Sequence, residues 1–152
     1  MDANFKIKGL KELNKLLKSL PEDFRSKALA GAVGAASRVI RDKAIENVPI
    51  DSGNLKTAIR AQKKKSPSKW LGKYQVNINP KGKITVLGRG KKGRSTATYY
   101  GRMVEEGTSK QSAQPFMRTA FALKKQEAVR VFSVVLDKKI GFYQRKIKRL
   151  RG

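Results

Sequence analysis

Carboxylates and one serine beside a glycine are where chemistry would have to be sought in this chain of 152 residues, because it contains no Cys and no His. Without His, the commonest general base and metal ligand is missing. Without Cys there is no disulfide framework, no thiolate zinc site and no cysteine nucleophile. Metal-assisted or glycosidase-type hydrolysis needs two or more acids that converge on one point. The chain has only 11 acidic residues, most of them isolated among lysines. Asp51, Glu105 and Glu106 are the set from which a metal-dependent nuclease centre would be built. Glu105 and Glu106 are adjacent, however, and on a helix would point about 100° apart. Each acid reads better as an ion pair or a helix cap. Ser52 has no His partner, and its neighbour Gly53 reads as turn geometry. The run GRGKKGR at 88–94 fits neither GxxxxGK[ST] nor a GxGxxG turn opening a helix, and Ser95-Thr96-Ala97 follows it instead of an apolar stripe. The expectation is a protein that is not an enzyme and that uses no cofactor and no metal.

Charge is the dominant signal. Lys and Arg number 36, which leaves a formal net charge of +25. Residues 1–50 carry 10 basic and 6 acidic groups, residues 51–95 carry 13 and 1, and residues 96–152 carry 13 and 4. A solvated face with mixed signs does not produce so bare a middle third, and a surface of this kind repels itself unless an anion lies beside it. Nucleic acid is the expected neighbour. No zinc-finger spacing, RNP signature or helix-turn-helix pattern accompanies the charge. Trp70 and Tyr74 are the only aromatics in the basic middle, and Tyr74 is equally suited to a core. Attraction to the phosphate backbone without sequence readout is therefore expected. Its candidate carriers are Lys63, Lys64 and Lys65 in one segment and Arg89, Lys91, Lys92 and Arg94 in a second. Hydrophobic residues still make up 39%, enough for a core. No apolar run approaches bilayer length, and MDANFKIKGLKELN lacks a signal-peptide block, so a soluble chain, cytoplasmic at synthesis, is expected.

Helices are expected to frame this basic middle. Leu10, Leu13, Leu16, Leu17 and Leu20 recur at helical spacing. Pro21 suits the first turn of a second helix, with Glu22 and Asp23 complementing its dipole, running to about Asn47 before Pro49. Ala28 to Ala36 is almost all Ala and Gly, which suits close packing on both sides, in an ordinary buried helix or at a subunit contact. Val76 and Ile78, then Ile84 and Val86, alternate with polar residues around Pro80-Lys81-Gly82 and read as a hairpin. Leu55, Thr57, Ile59 and Ala61 alternate as a third strand. Tyr99 to Glu106 reads as a short helix ended by Gly107. From Pro115, the spacing of Phe116, Ala120, Leu123, Ala128, Val131 and Val135 predicts a last helix. A second stripe continues it through Phe132, Leu136, Ile140, Tyr143, Ile147 and Leu150. Unbroken to 150 it would be about 54 Å long, against a radius of gyration of about 15 Å for a globule of this size. Either Gly141 breaks it, or its end projects as an arm that packs on a neighbour.

Three segments, in order, resemble a family of tailed-phage neck proteins described as head–tail joining, tail-completion or minor tail protein Z-like. Val48-Pro49-Ile50-Asp51-Ser52-Gly53-Asn54-Leu55-Lys56 is similar to the family's Pro-x-x-[Thr/Ser]-Gly-x-Leu-[Arg/Lys] junction. Tyr100-Gly101-Arg102-Met103-Val104-Glu105-Glu106-Gly107-Thr108 is similar to its Tyr-Ala-x-x-Val-Glu-x-Gly-Thr. Gln114-Pro115-Phe116-Met117-Arg118-Thr119-Ala120 is similar to its Pro-Phe-Leu-Arg-Pro-Ala. The likeness spans roughly residues 5–125 and departs at Glu106, where an aromatic is usual, and at Thr119, where proline is usual. It implies structural tasks for Pro49, Gly53, Leu55, Tyr100, Glu105, Gly107, Thr108, Pro115 and Phe116. It implies an α+β domain over 1–136, a small antiparallel sheet covered by helices, with a long helix in the N-terminal half and a long C-terminal helix or arm. The basic helical arm, 137–152, lies outside it. It further implies a structural virion protein at the head–tail junction, reached through the host cytoplasm during assembly and free of membrane. There it would form a homo-oligomeric ring, most plainly a hexamer, between the head connector and the tail terminator or tail tube, with double-stranded DNA in the lumen. A small basic nucleic-acid-binding protein of another kind is the alternative.

Overall fold

Pro21 sets the start of the first long helix. In the computed structural model, α1 spans Glu22–Asn47, and the Phe24 and Arg25 N–H groups bond back to the Pro21 carbonyl at 3.1 and 3.0 Å. Glu22 and Asp23 occupy the first turn, where carboxylates favour the positive end of the dipole. Val48 takes an extended conformation and Pro49 follows, so the helix stops where the sequence predicts. The structure describes residues 15, 17–49, 53–65, 73–79, 83–86 and 93–151, with backbone alone at 53–54, 83–86, 93–96 and 151. The Ser19 N–H bonds to the Lys15 carbonyl and the Leu20 N–H to the Leu17 carbonyl, closing a helical turn ahead of Pro21; Leu10, Leu13 and Leu16 of the leucine stripe lie outside the described residues.

After Pro49 the order is α2 (Gly53–Ala58), β1 (Ile59–Lys64), β2 (Lys73–Ile78), β3 (Lys83–Val86), β4 (Gly93–Thr96), α3 (Ala97–Glu106) and α4 (Phe116–Arg151). Two corrections to the sequence reading fall here. Leu55 to Ala58 is helix, and the strand begins only at Ile59. The four-residue step from Leu55 to Ile59 satisfies both the strand period of two and the helical period, and Leu55 and Ala58 both face the core from α2. The hairpin also pairs differently. β2 joins β1, with Ile59 opposite Ile78, Ala61 opposite Val76 and Lys63 opposite Tyr74. β3 joins β4, with Ile84 opposite Ser95. Strands 73–78 and 83–86 therefore belong to separate two-stranded antiparallel sheets, and Pro80 to Gly82 lies outside the described residues. The apolar cross-strand pairs on one face of β1–β2 give that register its stability.

Two apolar clusters hold the fold. In one, Ala44 and Val48 of the α1 end meet Leu55, Ala58, Ile59, Ala97, Val104, Phe116 and Ala120. In the other, Leu17, Leu20, Ala28 and Ala32 meet Leu136 and Ile140. Since Ala44 shares a core with Phe116 while Phe24 stacks on Tyr143 at 4.8 Å, α1 and α4 run antiparallel. Burying Phe116 and Leu136 stabilises the fold by roughly 1.5–3 kcal/mol each. The small residues of α1 are packed on both sides within the chain. A Cβ on Gly34 would fall 2.8 Å from Tyr74 Cζ, and one on Gly31 would fall 2.2 Å from Lys139 Cε. The helix α4 continues through Gly141 without a break. Its second stripe, Phe132, Leu136, Ile140, Tyr143 and Ile147, lies against α1 and the Leu17–Leu20 segment, while Leu123 and Leu150 of the predicted stripes are exposed. The architecture is α+β.

Candidate functional site

The segments that carry the family resemblance meet at one end of the α1–α4 pair. In α3, Ala97, Gly101 and Val104 are buried, and a Cβ on Gly101 would lie 2.2 Å from Ile78 Cδ1, so the helix sits directly on β2. Gly107 then takes φ +78°, the left-handed conformation that ends a helix, and its N–H bonds to the Met103 carbonyl at 2.8 Å. Thr108 and Gln111 bridge through their backbones, and the Thr108 hydroxyl accepts the Lys110 N–H at 3.2 Å. The Gln114 N–H returns to the Val104 carbonyl at 2.8 Å, which delivers Pro115 to the start of α4.

Glu105 closes this loop. One carboxylate oxygen accepts the Met117 N–H at 2.8 Å; the other accepts the Arg118 N–H at 3.0 Å and the Arg118 Nε–H at 3.1 Å. Arg118 Nη2 donates to the Glu105 backbone carbonyl at 3.0 Å. A carboxylate thus caps orphan N–H groups of the last helix from another element, and its charge complements that helix's dipole. Asn47 at the end of α1 adds a long bond to the Phe116 carbonyl at 3.5 Å. Glu106 turns away to Arg102 at 2.8 Å on an exposed surface. The adjacent carboxylates do not converge, and among the described residues no group of three His, Cys, Asp or Glu side chains is placed to hold a metal. Asp51 and Ser52 lie outside the described residues. Among the described residues, a hydrogen bond from Lys43 holds the Glu46 carboxyl below its ordinary range, and one to Glu106 raises the Arg102 guanidinium.

Pro49 is half-buried beyond α1, Gly53 opens α2, Leu55 is fully buried, Tyr100 packs on the first cluster, and Pro115 is exposed just before buried Phe116. The basic candidates are dispersed. Lys63, Lys64 and Lys65 sit exposed at the end of β1, with Lys64 directly opposite Lys73. Arg94 is a β4 position, while Arg89, Lys91 and Lys92 lie outside the described residues. Tyr74 is turned onto Gly34. Sequence reasoning missed Arg41, Lys56 and Arg60, which come from α1, α2 and β1 to line one cleft beside β1. Nothing in their spacing signals this, because only the tertiary fold unites them.

Residues 11–107 match the model of the HK97-gp10-like family, described as "Bacteriophage HK97-gp10, putative tail-component". The chain belongs to this family. The matched span runs from before α1 to the Gly107 turn, so it includes the Pro49–Lys56 and Tyr100–Gly107 segments and stops short of α4. No curated protein and no solved structure matches the chain. Membership in a bacteriophage tail-component family assigns a structural role in the virion, among other virion proteins.

Proposed function

We propose that this HK97-gp10-like chain forms a ring in the neck of a tailed bacteriophage, completing the tail, joining it to the DNA-filled head and letting DNA pass. The observation that carries the reading is a tail-component family member with a net charge of +25, of which the 51–95 segment carries 13 basic groups and 1 acidic group. A closed ring gathers many like charges, and the cost of doing so is offset when a dense polyanion occupies the lumen. Exchangeable Lys–phosphate contacts attract DNA without fixing a register, so they do not arrest its passage. Six copies is the ring size we favour. The partners are sister copies, the head connector on one side and the tail terminator or tail tube on the other, at the head–tail junction of particles assembled in the host cytoplasm. No catalytic step is assigned, because Glu105 is engaged by the α4 N-terminus and Glu106 by Arg102.

Suppressing the chain during infection with an amber codon at Trp70 tests this reading. Electron microscopy is expected to show DNA-filled heads and finished tails that fail to join, with joining restored by the wild-type chain supplied in trans. Normal joined particles in its absence would contradict the proposal and favour a basic nucleic-acid-binding protein outside the virion.

A further inference from the structure

The β1 strand runs along a cleft of about 490 Å3 to which α1 contributes Arg41 and Ile45, α2 contributes Lys56, and the strand itself contributes Ile59, Arg60 and Gln62. No carboxylate among the described residues lines it. Among the described residues neither Lys56 nor Arg60 has an ion-pair partner, and Arg41 bonds at 2.6 Å only to its sequence neighbour Asp42, whose side chain is 61% exposed. An exposed pair of that kind is worth little and is screened by salt, so Arg41 exchanges it readily. The next carboxylate on α1, Glu46, faces Lys43 and Lys124 instead. Three cations from three elements therefore line one cleft together with Ile45 and Ile59, and gathered charge of one sign raises the local concentration of anions.

We propose that this cleft is a phosphate subsite that receives the sugar–phosphate backbone of double-stranded DNA, with Arg41, Lys56 and Arg60 as its cations and Gln62 as a polar contact. The inference rests on the reading that the chain meets DNA, and it adds Arg41, Lys56 and Arg60 to the lysines at the end of β1 as carriers of that contact. Guanidinium groups suit phosphate oxygens because they present several donors in a planar fork. The contact reads no base, which matches a lumen that DNA must traverse.

The test is anisotropy of a labelled 20-bp duplex with the full chain across a salt series. Each phosphate contact contributes about 0.9 to the slope of log K against log salt. The triple variant R41Q/K56Q/R60Q is expected to lower that slope by about 2 to 3 units. R60Q alone, at an exposed side chain, should lower it by about 0.9 and covers the case in which the triple variant folds poorly. The control K125Q/R130Q/K138Q removes the same charge from exposed positions of α4 and is expected to change the slope by less than about 1 unit. Equal losses in the two triple variants, or an unchanged slope in R41Q/K56Q/R60Q and R60Q, would overturn the subsite while leaving DNA contact standing. A wild-type chain with no salt-dependent affinity would remove the DNA reading as well. Hexaglutamate that shifts the Arg60–Gln62 backbone amide resonances where the duplex does not would reassign the cleft to an acidic protein segment.

Discussion

Glu105 and Arg118 are 13 residues apart in sequence, yet they exchange three hydrogen bonds: the Arg118 backbone N–H and Nε–H donate to the Glu105 carboxylate, and Arg118 Nη2 donates to the Glu105 carbonyl. The side chain of Glu105 is only 15% exposed, and it also accepts the Met117 N–H. One acid thus ties the end of α3 to the beginning of α4 across the Gly107 turn. This gives a physical reason for a Val-Glu-x-Gly-Thr segment to be followed by Pro-Phe-x-Arg: the first supplies the cap and the reversal, the second the helix start and the cation.

Removing that tie should cost stability out of proportion to its surface position. Glu105→Ala leaves N–H groups of α4 without a partner and is expected to destabilise by about 1–3 kcal/mol. Arg118→Ala, at a side chain 70% exposed, should cost less than Glu105→Ala. In urea unfolding the double variant should show a coupling of at least about 0.5 kcal/mol. Strict additivity would mean that the two residues do not act as one unit.

The C-terminal half of α4 offers a contrast between two leucines on the same helix. Leu136 is fully buried against α1, whereas Leu150 is 73% exposed. Leu136→Ala should destabilise by about 2–5 kcal/mol. Leu150→Ala should stay within about 0.5 kcal/mol. Comparable losses at both positions in the isolated chain would show that the helix end is buried against something other than α1.

Much of this architecture is legible from punctuation. Pro21, Pro49 and Gly107 mark helix ends because each imposes a local backbone constraint that tertiary structure does not override. The strand pairing is less legible, because Val76 and Ile78 pack equally well in sequence terms against 59–61 or 84–86, and only the three-dimensional register selects Ala61 and Ile59. Gly141 misleads for a related reason. A helical glycine costs about 1 kcal/mol, but Leu136, Ile140 and Tyr143 pack on both sides of it and hold the helix through. Glu105 could be read as a cap, but its partner could not be named from the sequence, since the donors arrive from beyond a turn. The cleft cations carry no sequence signal at all, being distributed over three elements.

The lysines at the end of β1 make a separate prediction. Lys64 and Lys73 face each other across the ladder, and like charges placed directly opposite are unfavourable without an anion between them. Replacing Lys63, Lys64 and Lys65 with glutamine should flatten the salt dependence of duplex binding by up to about 0.9 per contact removed. The unliganded fold should be no less stable, and thermal unfolding alongside the binding series checks both. An unchanged slope would remove these three residues from the DNA-facing surface.

The central claim, a structural ring at the head–tail junction, is tested most directly by counting. Quantitative mass spectrometry of purified DNA-filled particles gives the number of copies of this chain per particle. Six copies per particle is the result expected for the proposed sixfold ring. Absence of the chain from finished particles would contradict a structural role in the neck.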